Sequence, residues 1–470
     1  MSENMSHPQS SASSQPAHRL AGPSHLLTGP VWPLLLRLAW PNMAAMLAVA
    51  LATMAETAYV GQLGPAALAG MALVFPFVML QAMMSAGAMG GGVSSAISRA
   101  LGAGDGQRAN VLAVHALWIS WIAGAFFMGL MEWLGPWFMA RLGGRGEALE
   151  QAIAYSDVAF TGSIFIWVVN TLSSVIRGSG NMRVPSVTLI LVALAQVFIG
   201  GALGLGWGGL PAWGMRGVAA GGVLANAAGA LYLWAYLARG KGRLTLTLRG
   251  TPWVGEHFKD ILRVGAVACL SPLQTVLTIL ILTRLVTPFG TEALAGYGIG
   301  TRLEFLLVPI AFAIGVASVP LVGMAIGAGH MARARQAAWT AAALATGILG
   351  VLGGVVAVAP SLWTTLFTHE PAVIQASASY FLWAGPFYGL FGLGLSLYFS
   401  SMGAGRATGP VLAGTLRLLV VAIGGACLSF WNAPASMVFA LVGLGMAVYG
   451  LSTSLFVWYT PWGVPQERAP

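Results

Sequence analysis

Long apolar runs, separated by short polar stretches, dominate this chain. Runs of roughly 20 apolar residues are long enough to cross a hydrocarbon core of about 30 Å as a helix. The pattern predicts spans at about 31–60, 66–97, 110–135, 152–176, 184–206, 214–238, 261–287, 292–324, 336–360, 374–402, 407–431 and 434–458. We therefore expect an all-α polytopic membrane protein with 12 transmembrane helices.

The second half of the chain repeats motifs of the first half about 225 residues later. The matched segments are Leu68-Ala69-Gly70 with Leu294-Ala295-Gly296, Gly102-Ala103-Gly104 with Gly327-Ala328-Gly329, Arg108-Ala109 with Arg333-Ala334, Tyr155 with Tyr380, and Gly178-Ser179-Gly180 with Gly403-Ala404-Gly405. Each half holds six predicted spans, an even number, so each begins and ends on the same side of the membrane. The sequence thus predicts two parallel six-helix repeats, an arrangement found in transporters.

Polar stretches set the predicted domain boundaries. The longest interruption, residues 239–260, carries five Lys or Arg residues and joins the two halves. We expect one lobe at residues 29–238 and a second at 261–460. Residues 1–28 are rich in Ser, Pro and His and have no apolar core, so they are predicted to form a disordered tail without a cleaved signal peptide. Residues 461–470 form a second tail.

Composition and charge support a membrane location. Hydrophobic residues make up 57% of the chain and charged residues 7%, against roughly 25% charged in soluble proteins. The 22 Lys and Arg residues outnumber the 13 acids, and most lie in loops on one side of the predicted spans. This asymmetry predicts that both termini and the central linker lie in the cytoplasm. We expect the chain in the cell (inner) membrane. The asymmetry explains the net charge without a nucleic-acid partner.

Short motifs occur in the same order in both halves. They are Pro41, Val60-Gly61-Gln62-Leu63-Gly64, Ala67-Leu68-Ala69, Leu101-Gly102-Ala103-Gly104-Asp105 and Arg177-Gly178-Ser179-Gly180 with Pro185 in the first half, and Phe289-Gly290, Ala293-Leu294-Ala295, Gly298-Ile299-Gly300-Thr301-Arg302-Leu303-Glu304 and Ile326-Gly327-Ala328-Gly329 in the second. Each motif alone is weak, whereas their order and duplication over residues 31–460 are specific. Together they resemble the multidrug and toxic compound extrusion (MATE) transporters.

The resemblance implies both a fold and a function. It implies two six-helix lobes around a central cleft that opens alternately to the two sides of the membrane. It also implies a secondary active antiporter that exports amphipathic, often cationic, small molecules against inward flow of H⁺ or Na⁺. We accordingly expect a monomer in the lipid bilayer that binds small-molecule substrates, has no cofactor and is not an enzyme.

Acids inside spans are candidates for ion coupling, because a charge in hydrocarbon costs several kcal/mol. Glu56 follows Pro41 by fifteen residues, where the MATE family usually has an Asp; an acid at the membrane surface is the alternative. Glu304 lies near the middle of the eighth span, and Arg417 lies at similar depth in the eleventh. We hypothesise that Glu304 and Arg417 meet. The pair would be either a protonation switch or a static packing contact.

Further candidates are polar or adaptable side chains. Gln196 is the only polar residue where many family members have Asn or Asp in the fifth helix. Asp157 could join it in a polar cavity or be a solvated acid at a helix end. Met83, Met84 and Phe305 are candidates for the substrate cleft, since flexible and aromatic side chains suit varied ligands; packing against core or lipid is the alternative.

Two questions stay open at this point. The chain supplies few oxygen ligands for a Na⁺ site, which favours H⁺ as the coupling ion. A flippase for lipid-linked sugar precursors is the alternative function within the same superfamily. Such proteins usually have extra spans and a strongly basic cavity. Here only Arg284, Arg302 and Arg417 are counted within spans, since the other Lys and Arg residues lie in the tails, in loops or at their edges. No metal-ligand cluster or nucleophile–base pair indicates an enzyme.

Overall fold

In the computed structural model the chain is described over residues 25–247 and 252–462. This part contains helices and no strands. Its membrane-length segments are α1 (Val31–Leu63), α2 (Pro65–Gly102), α3 (Gly106–Arg141), α4 (Gly146–Thr161 with Ser163–Gly178), α5 (Arg183–Leu205), α6 (Gly214–Ala238), α7 (Gly255–Phe289), α8 (Thr291–Gly327), α9 (Met331–Val358), α10 (Pro371–Gly403), α11 (Thr408–Phe430) and α12 (Ala435–Tyr459). The predicted twelve-span, all-helical fold is confirmed, with α4 counted as one span.

Two spans in the first half are irregular. The two parts of α4 meet at a bend of 48°. The bend lies at Gly162, where Val223 packs so closely that a side chain would collide with it. In α2 the segment Met83–Met89 is a π-helix, a wider turn that often occurs at functional sites. Both irregularities lie within the apolar part of their spans.

The repeat seen in the sequence is also present in the packing. A Cβ atom on Gly70 would lie 2.8 Å from the backbone nitrogen of Ala152 in α4. A Cβ atom on Gly296 would lie 2.7 Å from the backbone nitrogen of Ser377 in α10. Positions 70 and 296, and positions 152 and 377, correspond under the repeat. The glycine of the Leu-Ala-Gly motif therefore has the same role in both halves. It allows the second span of each half to pack closely against the fourth span of that half.

The two halves meet where α2 packs against α8. We call the end of the bundle that carries residues 239–254 the linker face, and the opposite end the far face. Near the linker face a Cβ atom on Gly102 would lie 2.7 Å from the Met324 Cα atom, and one on Gly327 would lie 2.9 Å from the Arg99 carbonyl carbon. These contacts are equivalent under the repeat, as a twofold-like axis between α2 and α8 requires.

Towards the far face the same two spans separate. The first part of α2, Pro65–Ala82, packs against α4, and the beginning of α8 packs against α10. Phe75, Phe305 and Leu306 are exposed on these separated parts. The two halves are therefore in contact through α2 and α8 at the linker face, and a gap opens between these two spans towards the far face.

The structure corrects the predicted ends of two segments. Residues His25–Thr28 form a short helix with Leu26 buried, although a disordered tail was predicted up to residue 28. This turn is ordered because Arg333 donates hydrogen bonds to the carbonyl oxygens of Leu26 at 2.8 Å and Gly29 at 2.6 Å. Helix α7 begins at Gly255, inside the predicted linker 239–260. Residues 1–24 and 463–470 of the predicted tails lie outside the described residues.

Candidate functional site

The first half contains a buried carboxylate near the end of α1. Glu56 is 3% exposed, which argues against an acid at the membrane surface. The Tyr155 hydroxyl of α4 donates a hydrogen bond to Glu56 Oε1 at 3.1 Å, and Gln196 Nε2 of α5 donates one to Oε2 at 2.7 Å. Three spans thus converge on one carboxylate, and the structure places Gln196 in the same polar site as Glu56.

A second tyrosine lies beside this carboxylate. The hydroxyl of Tyr59, almost one turn beyond Glu56 in α1, is buried and has no hydrogen-bond partner among the described atoms. Gly200 of α5 makes room for it, since a Cβ atom there would lie 2.6 Å from the hydroxyl oxygen. The site therefore has a free hydroxyl group next to its acid.

The second half contains an equivalent arrangement built on a different helix. Glu304 of α8 is half-buried and accepts a hydrogen bond from the Tyr380 hydroxyl of α10. Gly300, one turn before Glu304, makes this contact possible, because a side chain at that position would overlap the Tyr380 ring. Tyr297 packs edge-on against the same ring with centroids 5.6 Å apart. The aromatic layer fixes the hydroxyl that reaches the acid.

The hypothesised ion pair between Glu304 and Arg417 is not formed. Both ion pairs within the described part of the chain involve Asp260 instead. The Arg417 guanidinium lies over the rings of Phe391, at 5.6 Å, and Tyr449, at 5.9 Å. Two aromatic faces therefore hold the cation while a hydroxyl holds the acid.

The remaining candidates lie outside these two buried sites. Asp157 is exposed because it lies on the outer surface of α4, so it does not join Gln196 in a buried cavity. Met83 and Met84 are half-buried at the start of the π-helix, and Phe305 is 47% exposed. Their contact with substrate stays a prediction.

An ion-pair cluster at the linker face escaped the sequence analysis. Arg99 of α2 and Arg108 of α3 reach Asp260 of α7 at 2.6 and 3.1 Å. Arg99 also donates to Ser95, whose hydroxyl donates to the carbonyl oxygen of Met402 in α10. The cluster therefore joins helices of both halves. The repeated Arg-Ala motif at the starts of the third and ninth spans was the available signal.

A buried polar path between α2 and α4 was also missed. Ser163 donates to the Gln81 side-chain oxygen at 3.3 Å, and Asn170 Nδ2 donates to Ser85 at 2.8 Å. Ser85 lies in the π-helix. Polar residues at facing positions of two apolar spans were the sequence signal for this path. It provides polar groups inside the first half, beside Met84.

Comparisons with known proteins match this architecture. The family model MatE matches residues 41–200 and 268–431, once in each half. The probable multidrug resistance protein NorM of Thermotoga maritima is 27% identical over 413 residues, covering 87% of this chain and 85% of that protein. The FAD transporter of Shewanella oneidensis is 25% identical, covering 78% of this chain and 81% of that protein.

A solved structure agrees over nearly the whole chain. A multidrug resistance MATE family transporter of the MOP superfamily, in an outward-facing conformation, aligns with a TM-score of 0.82 and 26% identity, covering 92% of this chain and 96% of that one. The family model alone covers more than half of the residues in two matches one repeat apart. The chain therefore belongs to the MatE family, whose members are membrane transporters and not enzymes.

Proposed function

We propose that this chain is a secondary active antiporter that exports amphipathic cationic small molecules and is driven by inward movement of protons. The multidrug resistance proteins among its relatives support this substrate class. The FAD transporter among them makes a bulky anionic substrate the competing possibility, and a lipid-linked sugar precursor remains the alternative of a flippase. The family and the multi-pass membrane fold do not depend on this choice.

The observation that carries the proposal is one buried or half-buried carboxylate per half, held only by neutral donors. Glu56 is bonded by a hydroxyl and an amide, and Glu304 by a hydroxyl. Neither forms an ion pair among the described side chains. A proton that binds such a carboxylate removes its charge and makes it a hydrogen-bond donor. Because a charge in hydrocarbon costs several kcal/mol, proton binding changes the packing that each half prefers.

The donor set at Glu56 supports protons rather than Na⁺. Gln196 directs its Nε2 amide nitrogen, a donor, at the carboxylate. A hard cation needs several oxygen ligands, and an N–H group directed at the site repels it. A proton needs only the carboxylate and a neighbouring acceptor such as the Tyr59 hydroxyl.

The contacts between the halves support alternating access. The linker face is closed by the glycine contacts of α2 with α8, and the gap between the halves faces the other way. We assign the linker face to the cytoplasm of the inner membrane, because most basic loops lie there, and the two lobes to residues 29–238 and 261–460 of a single functional chain. In this arrangement the gap faces outwards, ready to release substrate and to take up protons.

Transport in proteoliposomes tests the proposal. Uptake of a fluorescent cation is measured with a pH gradient and a Na⁺ gradient imposed separately, for the unaltered chain and for Glu56→Gln, Glu304→Gln and the matched control Asp157→Asn. We expect the pH gradient alone to drive uptake. Both Gln variants should lose at least about tenfold, because an amide cannot take up the proton that changes the state of each half, and the control should change little. Transport driven by Na⁺ alone, or undiminished transport by both Gln variants, would refute proton coupling. Transport of FAD without transport of cations would refute the substrate class.

A further inference from the structure

A basic cavity lies at the linker face, away from the two carboxylates. It has a volume of about 520 Å³ and lies between α1, the ends of α4 and α6, and the linker. Four of its lining residues carry basic groups: His25, Arg37, Lys241 and Arg243. No acid is among the lining residues. The three Lys and Arg side chains have no ion-pair partner within the described ranges 25–247 and 252–462.

Much of the remaining lining of the same cavity, here called the apolar wall, is hydrophobic. It consists of leucine and isoleucine side chains that are buried, namely Leu26, Leu34, Leu38, Ile176, Leu237 and Leu244. Leu34, Arg37 and Leu38 are spaced so that one face of α1 presents both apolar groups and a cation. The cavity therefore suits a ligand that carries both an anionic group and an apolar chain.

The position of the cavity also indicates the source of the ligand. Trp32, in the first turn of α1, is exposed, and an exposed tryptophan at a helix end marks the depth of lipid headgroups. Basic pockets between transmembrane helices at this depth bind phosphate headgroups. A cationic substrate would be repelled there, so the cavity is separate from the proposed export path.

We propose that this cavity binds the phosphate headgroup of an anionic phospholipid. Arg37, Lys241 and Arg243 surround the phosphate, and the first part of an acyl chain lies against the side chains of the apolar wall. This binding does not depend on the proposed export function.

Such a lipid would join two segments that are anchored to different halves. The segment with His25 is held to α9 by Arg333. The linker is held to α3, because its Thr245 amide donates to Asn110 Oδ1 at 2.9 Å and its Val254 amide donates to His115 Nε2 at 3.1 Å. A headgroup between these segments stabilises the closed linker face.

Lipid binding to the full-length purified protein tests the inference. The probe is short-chain phosphatidylglycerol, and bound lipid is counted by native mass spectrometry while its effect on the unfolding temperature is followed. The test variant is Lys241→Gln with Arg243→Gln. The matched control is Arg239→Gln with Lys259→Gln, which removes the same charge from exposed positions on the same face that do not line the cavity.

We expect affinity for phosphatidylglycerol to fall at least about tenfold in the test variant and less than about threefold in the control, since each cation near an anionic headgroup adds attraction. The swap Lys241→Arg with Arg243→Lys should retain binding, which separates lost charge from a damaged fold. Equal losses in the test and control variants would overturn the proposal. So would phosphatidylcholine or inorganic phosphate binding as tightly as phosphatidylglycerol, because the charge or the apolar wall would then have no role.

Discussion

The hydroxyls of Tyr155 and Tyr380, at equivalent positions of the two repeats, each donate a hydrogen bond to a glutamate of their own half. The two glutamates are not equivalent. Glu56 lies in the first span of its repeat, whereas Glu304 lies in the second span of its own. The tyrosine at the same position of each repeat therefore donates to an acid that lies on a different helix. Proton binding would act on α1 in one half and on α8 in the other.

The contact between Gly300 and Tyr380 can be tested by adding one methyl group. Gly300→Ala should displace the Tyr380 ring from Glu304, since the new Cβ atom would overlap the ring. Forcing extra volume into a packed site typically costs about 1–3 kcal/mol, so both unfolding temperature and pH-driven transport should fall. Gly298→Ala is the control, because nothing lies within 4 Å of a Cβ atom at that position. Equal transport by the two variants would contradict the geometry described here.

Substitution of Arg417 tests whether the site needs a flat guanidinium group or only a positive charge. Arg417→Lys keeps the positive charge but lacks the flat guanidinium that lies over Phe391 and Tyr449. We expect it to lower stability by about 1–2 kcal/mol, the scale of a desolvated cation–π contact, and to reduce transport. Thermal unfolding in detergent and proteoliposome transport measure both effects. If the lysine variant matches the unaltered chain while Arg417→Ala is inactive, charge alone is what the site requires.

Closure of the linker face depends on the absence of a side chain at position 102. Gly102→Leu should keep α2 away from the Met324 backbone and hold this face open. A cysteine placed where α2 contacts α8, here called the seam, should then react faster with a water-soluble maleimide, and transport should be lost. Ser98→Cys provides it, since Ser98 lies against Gly323 of α8. Gly347→Leu adds the same side chain to α9, where the space is open, and should leave labelling unchanged. Slow labelling in both variants would show that the glycine contact does not control closure.

The cluster at Asp260 should stabilise the closed linker face. Asp260→Asn removes the negative charge that Arg99 and Arg108 share. Hydrogen bonds to charged groups contribute about 1.5–3 kcal/mol, so we expect a lower unfolding temperature and faster labelling of the same seam cysteine. Lys259→Gln, a neighbouring exposed charge, is the control. An unchanged labelling rate in Asp260→Asn would mean that the cluster does not fasten the seam.

The fold and part of the site could be predicted from the sequence for physical reasons. Apolar runs of membrane length define spans wherever they occur, and the 225-residue repeat relates Gly102 to Gly327 before any contact is known. Glu56 and Glu304 stand out because acids are rare inside spans. These features are local in the chain or follow from its duplication.

The contacts that the sequence did not predict depend on how each helix is rotated about its axis. Glu304 and Arg417 lie at similar depths. The sequence could not show, however, that Glu304 would accept a hydrogen bond from Tyr380 while Arg417 lies over two aromatic rings. The link of Asp260 to Arg99 joins residues far apart in the chain, and the sequence predicts Asp260 only as the last residue of the polar linker. The π-helix at Met83–Met89 depends on a small energy difference between hydrogen-bond patterns, which apolar composition does not reveal.

The equivalent arginines Arg108 and Arg333 each hold the chain that leads into the first span of the opposite half. Arg333 bonds the segment before α1, and Arg108 bonds Asp260 at the start of α7. In keeping with this exchange, α1 packs along α8 and the first part of α7 packs along α2. Each half thus contributes a helix that packs against the other half. Severing the polypeptide between α6 and α7 would leave two fragments that can function only by reassociating, and neither would be a transporter by itself.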